Sequence, residues 1–211
     1  MPKEKYKNPS VTVDMVIFTI KDNTLNVLLI QRKNPPYQNC WAFPGGFVDY
    51  EEDIDNAAKR ELEEETGIKN VELHQFHSFG TPDRDPRRRV ISVAYYALAK
   101  YQDLNIKAAD DAKDAKLFDL NNLPELAFDH SKVLKCALKA MNISLEHYPT
   151  AANLLAKEFS LENLHNIYEI LLSKTLNKDQ FQLEIPKLKF IEQIASDKYR
   201  FNEKISYSSR F

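Results

Sequence analysis

The chain has 211 residues, of which 43% are hydrophobic and 28% charged, ordinary values for a soluble protein with a proper core of one large domain or two small ones. A net charge of −2 gives no global electrostatic case for nucleic acid or a membrane surface, and no apolar run approaches a membrane span. Cys40 and Cys136 fit neither a metal nor a redox spacing, and no secretory signal is recognisable, so a reducing cytoplasm is the expected compartment.

The N-terminal stretch MPKEKYKNP is polar and expected to fray. Val11 to Ile20 is rich in β-branched residues and reads as a strand; Leu25 to Gln31 returns across the turn Lys21-Asp22-Asn23-Thr24 as its hairpin partner. Asn34-Pro35-Pro36 ends the hairpin. Arg32, at the end of the second strand, would overlook whatever the sheet holds, either as a solvated rim charge or as a substrate contact. Trp41-Ala42-Phe43-Pro44 leads into the stretch that dominates the chain.

That stretch is Gly45 to Ile68, GGFVDYEEDIDNAAKRELEEETGI. Asp53 or Asp55 can cap a helix that Gly67 stops. At about 100° per residue, Ile54, Ala58 and Leu62 form an apolar stripe, and Glu61 and Glu65 fall inside it with Glu64 beside it. A surface helix ordinarily keeps its acids opposite the apolar face. Glu61, Glu64 and Glu65 also crowd one patch at i+3 and i+4 spacing, where like charges destabilise a helix unless something neutralises them. A hard divalent cation held through oxygens, Mg²⁺ or Mn²⁺, would do so, and Arg60 could hold one of the three in orientation. The competing reading is a solvated acidic face.

Gly46, Glu52, Arg60-Glu61-Leu62, Glu64-Glu65 and Gly67-Ile68 match at every defined position the signature box of the Nudix hydrolases, which this stretch resembles. The resemblance implies a mixed-sheet α/β/α sandwich, a divalent metal, and a nucleoside diphosphate linked to another group as substrate. By the same resemblance Glu61, Glu64 and Glu65 would be metal ligands, with backbone oxygen from the Gly46 region. Glu52 would support the cluster and Arg60 would orient Glu61.

After the helix, Val71 to Phe79 alternates and reads as a strand. The following loop, Gly80 to Arg89, carries four arginines, two aspartates and two prolines. An arginine fork suits a diphosphate, and a stiffened loop loses less entropy in clamping one. The loop resembles the PDRDPR segment of ADP-ribose-related Nudix proteins, which implies ligand contact for Arg84 and Arg87. Val90 to Ala99 reads as a buried strand, with Tyr95 or Tyr96 able to offer a ring to an adenine; Tyr96 is the candidate. Asp103 to Lys116 reads as loop, with Asp110 and Asp111 as further carboxylate candidates by resemblance. Leu117 to Leu120 reads as a short strand and Phe128 to Met141 as a closing amphipathic helix that His130 begins in a structural role.

The sequence divides into a catalytic unit over residues 1–143, a connector over 144–159 and a small domain over 160–211. Ser160 can cap Leu161 to Leu172; Asn177 to Lys189 holds a second helix interrupted by Pro186; Ile191 to Phe211 gives short strand-like pieces. Helix, turn, helix and wing resembles the C-terminal winged helix of the Nudix-type transcriptional regulators of NAD metabolism, NrtR-like proteins, and implies a homodimer and DNA as a partner. From Ser160 onward there are eight bases against seven acids, one net positive charge, which is little for phosphate binding. Two functions follow as expectations. One is Mg²⁺- or Mn²⁺-dependent hydrolysis of ADP-ribose to AMP and ribose 5-phosphate, favoured by the intact box. The other is a ligand-sensing repressor that binds DNA through the winged helix.

Overall fold

The structure, a computed structural model, describes residues 8–106 and 112–202. Most of the N-terminal stretch read as frayed, and both Asp110 and Asp111, lie outside the described residues.

Strand β1 (Ser10–Lys21) organises the fold because both of its faces are apolar. Val13, Met15 and Ile17 share a core with Ala57, Ala58 and Leu62. Val16 and Phe18 point the other way, into a core with Val133, Ala137 and Met141. The period of two that separates these sets places a helix on each side of the sheet. Strand β2 (Thr24–Arg32) pairs antiparallel with β1, and two short strands, β3 (Trp41–Ala42) and β4 (Gly45–Phe47), pair with β2 and with the start of β1. Helix α1 (Ile54–Thr66) covers one face. Beyond it, β5 (His74–Phe79) pairs with β6 (Val90–Leu98), which runs parallel to β1.

Strand β7 (Ala112–Asp119) begins five residues earlier than the sequence suggested. Its first half is polar, so propensity favours a loop. Backbone pairing decides otherwise, since Ala112, Asp114 and Ala115 lie opposite Arg32, Gln31 and Ile30 of β2. Helix α2 (His130–His147) packs on the second face and runs past the boundary drawn at residue 143. The architecture is thus the expected mixed-sheet α/β/α sandwich.

The remaining chain builds a small winged-helix unit. Ser160 Oγ accepts the Asn163 N–H and opens α3 (Leu161–Leu172). Asn177 caps α4 (Lys178–Glu184) in the same way; a single 3₁₀ turn, Ile185–Lys187, follows where Pro186 prevents further α-helix. The wing is the hairpin of β8 (Ile191–Ala195) and β9 (Lys198–Phe201), with Phe159 bridging to Tyr199.

The two units share one apolar core. Leu164, Tyr168, Leu171 and Phe181 join Val16, Phe18 and Met141 without interruption. Tyr168 donates its hydroxyl to the Leu145 carbonyl at 3.0 Å, and Tyr96 donates to Ser144 Oγ at 2.8 Å beside it. Leu164 is fully buried on the winged-helix side. Leu164→Ala is therefore expected to destabilise the chain by about 2–5 kcal/mol. Fluorescence of Trp41, the single tryptophan and a residue of the other unit, should report the full shift in one transition. Two transitions, with Trp41 unmoved, would show that the cores fold apart.

Candidate functional site

Helix α1 sets the site. Asp53 accepts the Asp55 N–H at 2.9 Å to cap it, and Gly67, at φ 72, takes the left-handed turn that ends it, donating to the Glu63 carbonyl. Its inner face is Ala57, Ala58, Leu62, Glu65 and Thr66; Ile54, expected to start the stripe, is 37% exposed. Two alanines let the helix lie close on the sheet and bring its carboxylates to the sheet's end.

One guanidinium holds most of those carboxylates together. Arg60 Nε and Nη2 donate to the two oxygens of Glu52 at 2.9 and 2.8 Å. Its Nη1 donates to Glu61 Oε1 and to Glu64 Oε2, each at 2.9 Å, and Nη2 also reaches the Phe47 carbonyl at 3.1 Å. Hydrogen bonding to Glu52 first, then to Glu61 and Glu64, holds the Arg60 pKa above its ordinary value. The bond from Arg60 lowers the Glu52 pKa. Glu61 moves the other way. Its burial, together with the charges of Glu64 and Glu52, outweighs Arg60 and raises its pKa.

The backbone approaches these acids closely. A Cβ on Gly46 would lie 2.3 Å from the Glu61 carboxyl, and one on Gly45 would lie 2.1 Å from the Val13 carbonyl oxygen. Backbone blocks any side chain at Gly45, so only glycine fits there; at Gly46 a side chain would have to displace the Glu61 carboxyl. Gly45 N–H donates to Glu65 Oε2 at 2.8 Å, which turns that buried carboxylate toward the strand. Gly46, Glu61, Glu64 and Glu65 all line one cleft of about 340 Å³. Among the described residues no three acidic, histidine or cysteine side chains converge on a single point, and Arg60 spans the oxygens of Glu61 and Glu64. The donor set is all oxygen and anionic, which suits Mg²⁺ or Mn²⁺ and not a soft metal.

The arginines expected at a ligand take different positions. Arg32 lines the cleft, donates to the Pro36 carbonyl at 2.9 Å and lies over the Phe128 ring; burial first, then Arg87, lowers its pKa. Arg87 also lines it, held by Asp85 at 2.7 Å and stacked near Phe47. Arg84 forms part of the floor, but its side chain is only 6% exposed and its guanidinium is engaged by Asp129 at 2.7 Å and Asp14 at 3.3 Å. It is an internal cation rather than an open clamp. Tyr96 does not reach the cleft. It is fully buried between the sheet and α2 with its hydroxyl on Ser144, so the ring that sequence offered to an adenine is a core residue. Tyr95 is buried as well, donating to Asp55.

Asp14, in the cleft floor, and Ser92, which bonds it, went unread in the sequence, whereas His130 was read there in its structural role at the start of α2. Asp14 is 7% exposed and accepts from Ser92 and Arg84, with His130 Nε2 3.5 Å from its other oxygen. Burial pushes the Asp14 carboxyl up, but His130, Arg84 and Ser92 together outweigh it and take the pKa down to about 2. His130 Nδ1 in turn accepts the Phe43 N–H at 2.9 Å. The available signal was Asp14 itself, the single acid of the strand, set among the apolar residues Val13 and Met15 to Phe18.

Comparison with known proteins agrees with this geometry. Residues 9–136 match the NUDIX domain and residues 151–205 match the NrtR DNA-binding winged helix domain. The chain is 36% identical over 200 residues to the ADPR responsive transcriptional repressor NtrR of Acinetobacter baylyi, covering 93% of this chain and 80% of that one. It is 45% identical over 137 residues to the ADP-ribose pyrophosphatase of Methanocaldococcus jannaschii, covering 65% of this chain and 78% of that one. The crystal structure of Shewanella oneidensis NrtR superposes with a TM-score of 0.74 at 29% identity, covering 92% of this chain and 93% of that one. The same protein has been crystallised with a 27mer DNA, and its NUDIX domain with ADP ribose.

The floor makes a prediction in acid. The Asp14 pKa is depressed on folding, so its contribution is complete above the unfolded value of 3.8 and is lost as pH falls toward about 2. Its size is about 2 kcal/mol. In denaturant unfolding, Asp14→Asn should fall furthest below wild type near pH 6, and the gap should close between pH 4 and pH 2. A gap of constant width would mean that Asp14 is not held as a carboxylate.

Proposed function

The chain belongs to the Nudix family and carries the NrtR winged-helix layout, and on that footing we propose that it is a divalent-metal-dependent hydrolase of ADP-ribose or a related nucleoside diphosphate derivative. One observation carries this reading. Glu52, Arg60, Glu61, Glu64 and Glu65 are all present and all but Glu52 line the same cleft, so the acids are gathered at the place where a diphosphate would lie.

In this reading Glu61, Glu64 and Glu65, with the Gly46 carbonyl, hold Mg²⁺ or Mn²⁺. The bound cation supplies charge neutralisation for the diphosphate and makes water a competent nucleophile. Arg60 is anchored through two bonds to Glu52, so it can release Glu61 and Glu64 to a cation and stay in place. Arg87 and Arg32, both lining the cleft and each braced by an aromatic ring, supply forks to the phosphates. Arg84 acts from beneath, fixing the floor through Asp14 and Asp129.

A second reading has its own support. The winged-helix match and the similarity to a repressor along most of the chain favour an ADP-ribose-responsive DNA-binding regulator. The surface charge of that unit is modest, since Lys178, Lys187, Lys198 and Arg200 each pair with a glutamate. Both readings place the same ligand in the same cleft and differ in whether it is cleaved.

Turnover separates them. With Mg²⁺ or Mn²⁺, a panel of nucleoside diphosphate derivatives should include ADP-ribose among those hydrolysed, and Glu64→Gln should lower the rate by about 100-fold or more. If no member is cleaved while calorimetry still detects ADP-ribose binding, the hydrolase reading is wrong and the regulator takes its place.

A further inference from the structure

The buried polar cluster beneath the cleft contains no residue of the acidic box, yet it is tied to the backbone that carries the box's glycines. Phe43 to Gly46 must cross the sheet's end at one fixed height, because Gly46 abuts the Glu61 carboxyl and the Gly45 N–H serves Glu65. On one flank β1 fixes this segment through the Met15 N–H on the Pro44 carbonyl at 2.9 Å and the pairing of Asp14 with Gly45. The other flank is fixed from α2. There His130, 3% exposed, accepts the Phe43 N–H on Nδ1 and stacks its ring against Phe43 at 5.1 Å.

The two nitrogens of this imidazole have different neighbours. Since Phe43 presents a hydrogen to Nδ1, that nitrogen must offer its lone pair, and the ring proton sits on Nε2, facing Asp14. Asp14 is held in turn by Ser92 and by Arg84, which also grips Asp129, the residue before α2. Orientation therefore passes from Arg84 and Ser92 to Asp14, to the His130 ring, and to the Phe43 amide two and three residues before the glycines. Supports of this kind commonly govern the affinity of a metal site without touching the metal.

We infer that His130 is a positioning residue of the cation site: held by Asp14, it fixes the Phe43–Gly46 backbone and so sets where the Gly46 carbonyl and the Glu65 carboxylate stand. The inference rests on the metal-dependent reading given above.

Two substitutions divide the ring's two functions. In His130→Asn the side-chain oxygen falls near the place of Nδ1 and can still accept from Phe43. In His130→Gln the amide falls near Nε2, keeping the Asp14 contact and leaving Phe43 without an acceptor. Mn²⁺ affinity of the full chain is measured by the electron spin resonance of free Mn²⁺, alongside thermal unfolding. The expected result is about a 10-fold loss in His130→Gln and wild-type affinity within about 3-fold in His130→Asn. Equal affinities in both variants, whether retained or lost, would overturn the positioning role and leave His130 as a space-filling residue. Absence of Mn²⁺ binding by wild type would instead remove the metal-dependent reading, and this inference with it. Hydrogen exchange of the Phe43 amide gives a test that needs no variant. Mn²⁺ should slow it in wild type, and an unchanged rate in Mn²⁺-saturated protein overturns the inference.

Discussion

The structure is built around a group of carboxylates held on the inner side of a helix. Mutual repulsion at i+3 and i+4 spacing and partial burial both act against Glu61, Glu64 and Glu65, and the cost is visible in the raised pKa of Glu61. Arg60 offsets part of it, and its position follows from Glu52, which takes two of its five donors. One cation of unit charge cannot balance four carboxylates. The negative charge that Arg60 leaves on this cluster is what the proposed divalent ion would balance.

The same crowding dictates the backbone. A Cβ on Gly46 would push against the Glu61 carboxyl, and one on Gly45 would strike the Val13 backbone, so the strand carries no side chain at either point of contact. A glycine strand has little side-chain packing to hold it, so the neighbouring residues must. Met15 and Asp14 on β1 and His130 on α2 supply that hold through hydrogen bonds, the directional interaction suited to a segment without bulk.

Much of this could be read from the chain. The apolar β1, the helix limits at Asp53 and Gly67 and the cap at Ser160 are local signals, and the structure has each where the residues place it. The crowding of Glu61, Glu64 and Glu65 followed from helical spacing, while the place of Glu52 beside Arg60 was implied only by the resemblance to the Nudix box. What escaped was fixed by long-range pairing. The polar start of β7 becomes strand only because β2 offers it a partner, and Tyr96 is a core residue only because α2 folds over it. Arg84 reads as a phosphate clamp until Asp14 and Asp129, 70 and 45 residues away in sequence, are brought to it. The lone acid of β1 was a legible anomaly whose partners were not.

Helix α2 bears on how the two units relate. Its first residue, His130, lies in the cleft floor, and its last turns carry Ser144 and Leu145 into the core shared with α3 through Tyr168. A winged helix joined by a short linker would need only a surface contact. Here the connecting helix is part of both cores, and Leu145, Leu164 and Tyr168 leave no apolar seam between them. Displacement of the winged helix therefore cannot be a free swing. It must act on α2, and the end of α2 opposite the winged helix is bonded to the strand that carries the glycines.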